Sequence, residues 1–195
     1  IMIGLPSSGI HSNGYTLVRA IVERSGNSLF EKCPFDSAHE NREIERFEEG
    51  DITLGEVLLN PTRIYVNPLI DLIKECREGT GPCEISDIKA MAHITGGGLS
   101  NLLRLHDDFG WHIDNPLPVL PEFRWLAENG SVSNREMHRT FNMGMGMTIV
   151  ISKDKSSSVE KWLNEKLPGT RTIGYVHDKK REVTHADSEV IFSHY

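Results

Sequence analysis

The 195-residue chain has few cysteines: Cys33, Cys76 and Cys83, with no CxxC spacing. So sparse and odd a set builds no disulfide framework; it fits free thiols in a reducing cytoplasm. No run of about 18 apolar residues exists, so no membrane-spanning segment is expected. Positive charge is in deficit, with 21 Lys and Arg against 28 Asp and Glu and a net charge of -7. Sequence-independent binding to nucleic acid needs the opposite balance, so nucleic acid is not an expected partner. A small anion stays open, because backbone N–H groups bind phosphate without net positive charge. No basic n-region or small-residue cleavage site marks a signal peptide. There is no Walker Gly-Lys-Ser/Thr, no GxGxxG and no Gly-x-Ser-x-Gly elbow.

What is present is an alternation of strand and helix patterns. Residues 1–5 are apolar and read as the end of a buried strand. A chain opening inside a core strand is expected to be a fragment of a longer protein. Residues 15–24 carry Leu17, Val18, Ile21 and Val22 at helical spacing, with Gly26 placed to cap the end. Residues 53–59 read as a short helix before Pro61, and 67–78 as a helix with Leu69, Leu72 and Ile73 inward. The charged run 40–49 reads as a solvated face. Residues 84–91 are amphipathic and read as another short helix. Residues 93–95 read as a strand, 99–105 as a helix and 106–122, with three prolines, as irregular. Helices are expected over 123–128, 134–139 and 157–167, the last with a serine cap. Strands are expected over 147–152, 171–177 and 189–192. This order predicts one α/β (α+β) domain over residues 1–195, a three-layer mixed sheet with packed helices.

Three glycine-rich segments are the chemistry candidates. The first holds Ser7, Ser8, Gly9, His11, Ser12, Asn13 and Gly14 between a strand and a helix. Such a junction aims N–H groups and the positive end of the helix dipole at one spot. Serine and asparagine add donors, although the same residues also serve as simple helix caps. His11 adds a titratable group for a polar or proton-transfer role, with a hydrogen-bonded structural histidine as the alternative. The second segment, Thr95, Gly96, Gly97 and Gly98, again lies between a strand and a helix; three successive glycines suit close backbone approach. The third runs through Asn142, Met143, Gly144, Met145, Gly146 and Met147. If extended, its methionines share one face and its glycines the other. The three segments are expected to converge on one concave surface. His106, Asp107, Asp108, His112 and Asp114 are five further polar candidates, but they lack metal-ligand spacing, and no metal is expected there.

Together these motifs resemble one family. Residues 4–19 (GLPSSGIHSNGYTLVR), 54–66 (LGEVLLNPTRIYV), 93–99 (HITGGGL), 123–126 (FRWL) and 136–147 (EMHRTFNMGMGM) are similar to the C-terminal domain of aminoimidazole ribonucleotide synthetases, also called phosphoribosylformylglycinamidine cyclo-ligases. The likeness runs to about residue 174. It implies a two-domain subunit whose N-terminal half, absent here, holds most contacts to ATP and Mg2+ and builds a homodimer. The implied reaction is ATP-dependent closure of formylglycinamidine ribonucleotide to aminoimidazole ribonucleotide, with release of ADP and phosphate. Ser7, Ser8, Gly9, Ser12, Asn13, Gly14, Thr95, Gly96, Gly97, Gly98, Asn142 and Gly144 are then expected to bind substrate or anion, with His11 as the catalytic candidate. The alternatives are another ATP-using member of the superfamily, such as a thiamine-phosphate kinase or selenophosphate synthetase, or a non-catalytic binding or assembly domain.

Overall fold

Side chains along a strand alternate between its two faces. In β1 (Met2–Pro6), Ile3 and Leu5 therefore point to one face of the sheet and Met2 to the other. A computed structural model describes residues 1–43 and 51–195. β1 lies centrally, antiparallel to β4 (Met145–Ile151) on one side and to β5 (Arg171–His177) on the other. β2 (Ile88–His93) extends the β4 side, and β3 (Gly110–Ile113), β6 (Val183–His185) and β7 (Ile191–Phe192) extend the β5 side. The seven-stranded order is β2-β4-β1-β5-β3-β6-β7. The pair β3/β6 is parallel and the other neighbours are antiparallel, so the sheet is mixed.

Helices cover both faces. On one, Ile3, Leu5, Ile149 and Ile151 pack against Leu69 and Leu72 of α3 (Val66–Glu78), and against Val159 and Leu163 of α6 (Ser156–Lys166). On the other, Met2, Val150 and Ile173 meet Leu99, Leu102 and Leu103 of a 3-10 helix (Gly98–Arg104). A further cluster joins α1 (Tyr15–Ser25), α2 (Leu54–Leu58), α4 (Pro121–Gly130) and α5 (Asn134–Thr140) around Ile21, Leu54, Phe123, Leu126, Met137 and Phe141. The expected mixed α/β sheet with packed helices is what forms.

Several elements differ from expectation. Residues 84–91 hold a 3-10 turn at Ile85–Asp87 and then β2, not a helix. Ile85, Ile88 and Met91 mimic helical spacing, but pairing with β4 decides the outcome. The strand expected over 93–95 is the tail of β2, which ends at His93. The stretch 106–122 contains β3, and β6 escapes the sequence pattern altogether. No serine caps α6; its N-cap is Lys155. The charged run 40–49 falls largely on residues 44–50, outside the described residues.

Phe123 is fully buried, whereas Ile64 is 71% exposed. Phe123→Ala is expected to lower unfolding stability by about 3–5 kcal/mol. Ile64→Ala should change it by less than about 0.5 kcal/mol. Urea titrations of the two variants give the comparison.

Candidate functional site

β1 ends at Pro6, and the chain turns through residues 7–14 into α1. The loop is strapped from one side by residues 60–65. Tyr65 Oη donates to the Pro6 carbonyl at 2.8 Å, and Asn60 Nδ2 to the Ser8 carbonyl at 2.6 Å. Ser8 Oγ donates to the Pro61 carbonyl at 2.6 Å. Arg63 is buried among the Pro6 carbonyl, Asn41 and Glu43, with Nε 2.7 Å from Glu43 Oε1. Tyr65 reaches Pro6 only because position 146 is glycine; a Cβ there would collide with the phenol oxygen.

His11 lies inside this strap. Its Nε2 is 3.0 Å from the Ser8 N–H and 3.3 Å from the Arg63 N–H. A backbone N–H can only donate, so Nε2 is the lone-pair nitrogen and Nδ1 carries the proton. Burial, followed by the charges of His93 and Arg63, lowers the His11 pKa to about 4, so the ring is neutral at pH 7. Ser8 Oγ is 2.9 Å from the same nitrogen, which looks like a nucleophilic dyad. It is not an activated one: the lone pair already serves two amides, the hydroxyl proton goes to Pro61, and Ser8 is fully buried.

The loop surfaces at Ser12, Asn13 and Gly14, the first exposed and the others half-buried. His11 and Ser12 have φ of 56° and 58°, and Gly14 has 75°. No side chain caps α1; Leu17 and Val18 return their N–H groups to the Gly14 carbonyl. The first amides of a helix have no partner within it. Among the described residues, those of Tyr15 and Thr16 find none elsewhere, which leaves them for solvent or a ligand.

The second glycine loop docks on this rim. Asn13 Oδ1 accepts the Gly96 N–H at 2.9 Å while Asn13 Nδ2 donates to the His11 carbonyl at 2.7 Å. Asn101 Oδ1 accepts from both the N–H and the hydroxyl of Thr95. Gly96 is exposed, Thr95 and Gly97 are half-buried and Gly98 is buried. Gly98 has φ 52°, and a Cβ there would overlap the His138 carbonyl oxygen.

The third segment is internal. Asn142 Oδ1 accepts from Ser7 Oγ at 2.8 Å and from the Gly144 N–H at 2.9 Å, and Nδ2 donates to the Gly9 carbonyl at 2.8 Å. Ser7 N–H closes the link onto the Gly144 carbonyl. The methionines do not share a face. Met143 and Gly144, with φ 51° and 102°, form a turn. Met143, Met145 and Met147 then enter three different apolar clusters.

The three loops are thus in contact, but in two layers. Ser7, Ser8, Gly9, His11, Asn142 and Gly144 are buried scaffold, and Gly98 packs against α5. Ser12, Asn13, Gly14, Thr95, Gly96 and Gly97 form the accessible rim. One rim residue escaped the sequence reading as a site residue. His93 is exposed, directly precedes this loop, and sits edge-on to Tyr65 at 6.0 Å between ring centroids. Burial of part of its ring lowers its pKa. Its signal was a titratable side chain at the last position of a strand that feeds a glycine run. Elsewhere, His112 pairs with Thr184 at 2.7 Å, and Asp107 lies 3.5 Å from Arg181. Among the described residues, no three His, Cys, Asp or Glu side chains gather as a metal cage, and no helix is long and apolar enough to cross a membrane.

The rim is thus a strand-to-helix junction whose first helix amides have no partner among the described residues, flanked by a glycine loop on an α/β domain with a mixed sheet. The chain belongs to the family described as AIR synthase related protein, C-terminal domain, whose model matches residues 1–187. It is 37% identical over 90% of its length to a phosphoribosylformylglycinamidine cyclo-ligase of Methanosarcina acetivorans, covering 44% of that relative. It is 41% identical over 94% of its length to the cyclo-ligase of Crocosphaera subtropica, covering 48% of it. Similarity also extends to the trifunctional purine biosynthetic protein adenosine-3 of Drosophila melanogaster, at 43% identity over 84% of this chain and 11% of that protein. The chain therefore spans less than half of each of these relatives.

Two outcomes follow from this geometry. Gly26 caps α1 at φ 70° with open space around it, so Gly26→Ala should cost about 1–2 kcal/mol. Gly98→Ala meets backbone as well as strain and should cost about 3 kcal/mol or more; denaturant melts rank the two. The lowered His11 pKa favours protonation in the unfolded chain. Its contribution is intact above pH 6.5 and is lost as pH falls from 6.5 toward about 4. His11→Asn should flatten the stability slope in that window, and NMR titration of the wild-type His11 ring should show it neutral at pH 5.5.

Proposed function

We propose that this chain is the C-terminal half of a phosphoribosylformylglycinamidine cyclo-ligase. On that reading it helps close formylglycinamidine ribonucleotide to aminoimidazole ribonucleotide, with ATP converted to ADP and phosphate. The observation that carries the reading is the family membership combined with an accessible rim of backbone amides. The N-terminal portion of such an enzyme would supply most ATP contacts, and the whole would act as a cytoplasmic homodimer.

The chemistry asks for what the rim offers. An amide oxygen leaves poorly until it is phosphorylated; the amidine nitrogen then attacks the activated carbon, and phosphate departs with the former amide oxygen. Negative charge gathers on the transferring phosphoryl group, so fixed donors aimed at it lower the barrier. The N–H groups of Tyr15 and Thr16 at the start of α1 are such donors, joined by the Gly97 N–H of the second loop, while the Thr95 and Gly96 amides are spent on Asn101 and on Asn13, which holds the two loops in register. Mg2+ would neutralise phosphate charge. The described residues do not form a site for it, so no step is assigned to the ion here.

His11 we assign to loop positioning, because its lone pair is already committed. The proton released by the attacking nitrogen needs an accessible acceptor, and His93 is the exposed imidazole at the rim.

The test is turnover with ATP, Mg2+ and formylglycinamidine ribonucleotide. The chain alone is expected to be inactive and the complete two-domain enzyme active. Turnover by the isolated chain at a comparable rate would overturn the division of labour. In the complete enzyme, His93→Gln should lower kcat by about 10²–10⁴-fold with an unchanged melting temperature. An unchanged kcat would remove His93 from proton transfer.

A further inference from the structure

Away from the rim, two of the three cysteines meet. Cys76 Sγ and Cys83 Sγ are 3.5 Å apart, within thiol–thiol hydrogen-bonding distance. Cys76 lies on α3 and is buried; Cys83 follows in the connection to β2 and is half-buried.

The connection is held on both sides. Gly79, Thr80 and Gly81 all return their N–H groups to the Glu75 carbonyl. Ser158 Oγ of α6 donates to the Pro82 carbonyl at 2.9 Å. Directly after Cys83, Glu84 and Asp87 exchange backbone-to-carboxylate bonds that fix the turn into β2. Trp162 Nε1 donates to Glu75 Oε2 at 2.9 Å and ties the helix to α6 one residue before Cys76. Gly81 lies against Cys76 so closely that a Cβ there would stand 2.9 Å from its sulfur. The two sulfurs are therefore already placed, and little chain entropy is left to lose on joining them.

We propose that Cys76 and Cys83 form a reversible intramolecular disulfide, a modification site whose reactant is a low-molecular-weight disulfide such as oxidised glutathione. The more accessible Cys83 thiolate attacks one glutathione sulfur. A Cys83–glutathione mixed disulfide forms and one glutathione thiolate leaves. The Cys76 thiolate then attacks Cys83 Sγ and expels the second glutathione. Two protein thiols and one oxidised glutathione become one protein disulfide and two reduced glutathiones, so atoms and electrons balance.

Two features shape the site. Burial, then the neighbouring Cys76, pushes the Cys83 thiol up to about 12. Thiolate is scarce at pH 7, so the pair closes slowly there and faster in alkaline solution. A shared metal is not the reading, since no third His, Cys, Asp or Glu completes a cage among the described residues. Cys33 lies in the helical cluster apart from the pair and serves as an internal reference.

The test is incubation of the chain with oxidised glutathione at about pH 7 and about pH 9, followed by thiol counting and peptide mapping. Expected is loss of the Cys76 and Cys83 thiols with Cys33 still free. The linked peptides should be lighter by two hydrogens, the protein should stay monomeric on a non-reducing gel, and dithiothreitol should restore both thiols. The rate should rise about tenfold per pH unit. Closure should raise the melting temperature, because the unfolded chain is constrained. Cys33→Ser should retain the reaction, and Cys76→Ser should stop it at the mixed disulfide. A wild-type protein that stops at a glutathione adduct, forms linked dimers, loses Cys33 first or leaves both thiols unreacted at pH 9 would overturn the proposal. None of these readouts depends on ring-closing activity.

Discussion

The buried side chain of Asn142 is the interaction on which the rest of the site depends. One amide group accepts from Ser7 and Gly144 and donates to Gly9, joining the loop after β1 to the turn before β4. β1 and β4 are neighbours in the sheet, and their ends would otherwise splay where Pro6 interrupts the register. A buried carbonyl or hydroxyl without a partner costs about 1–3 kcal/mol, and Asn142 removes several such costs at once. Apolar side chains of similar size can fill that space but leave three groups unpaired. This explains an asparagine among Phe141, Met143 and Met145, all buried.

The strap from residues 60–65 acts from the opposite side. Its five anchoring contacts come from Asn60, Pro61, Arg63 and Tyr65 and end on Pro6, Ser8 and His11. The motif 54–66 thus contributes no rim group of its own; it determines where the rim stands. Two serines in the loop are consumed in the same way. With both serine hydroxyls and His11 Nε2 paired, the loop can hold His11 and Ser12 at positive φ, a conformation costing about 1–2 kcal/mol per residue. The accessible amides are presented by a backbone that has little freedom to relax away from them.

The helices were legible because each carries its own evidence: Leu17, Val18, Ile21 and Val22 on α1, Leu69 and Leu72 on α3. Strands were legible only where apolar residues run together, as in β1, β4 and β5. β2 is an edge strand paired on one side only, and its Ile88 and Met91 spacing favours a helix until β4 is considered. β3 is four residues long, set between charged and proline-rich stretches; β6 is three, and its identity comes from parallel pairing with β3. Pairing between residues about 70 apart leaves no local mark. The glycine loops were legible as loops, since glycine and serine between a strand and a helix restrict the choices. Which of their residues face inward was not. Ser8 and Ser12 are the same residue type four positions apart, and only the arrival of Asn60 and Pro61 on Ser8 separates them.

The proposed division of roles between His11 and His93 rests on the same reasoning. A histidine between two glycines and two serines invites a catalytic reading, whereas one at a strand end invites none. The deciding quantity is the free lone pair in reach of solvent. His11 Nε2 lies between two amide hydrogens that cannot turn away, and desolvation opposes its protonation. His93 has surface and stands beside the glycine loop that follows it. The two rings are nonetheless connected: each stands edge-on to Tyr65 at 6.0 Å, on a residue whose hydroxyl is fixed to Pro6. Tyr65 therefore sets the separation between the scaffold histidine and the rim histidine. A change at Tyr65 would reach both histidines, although the strap itself places no residue on the rim.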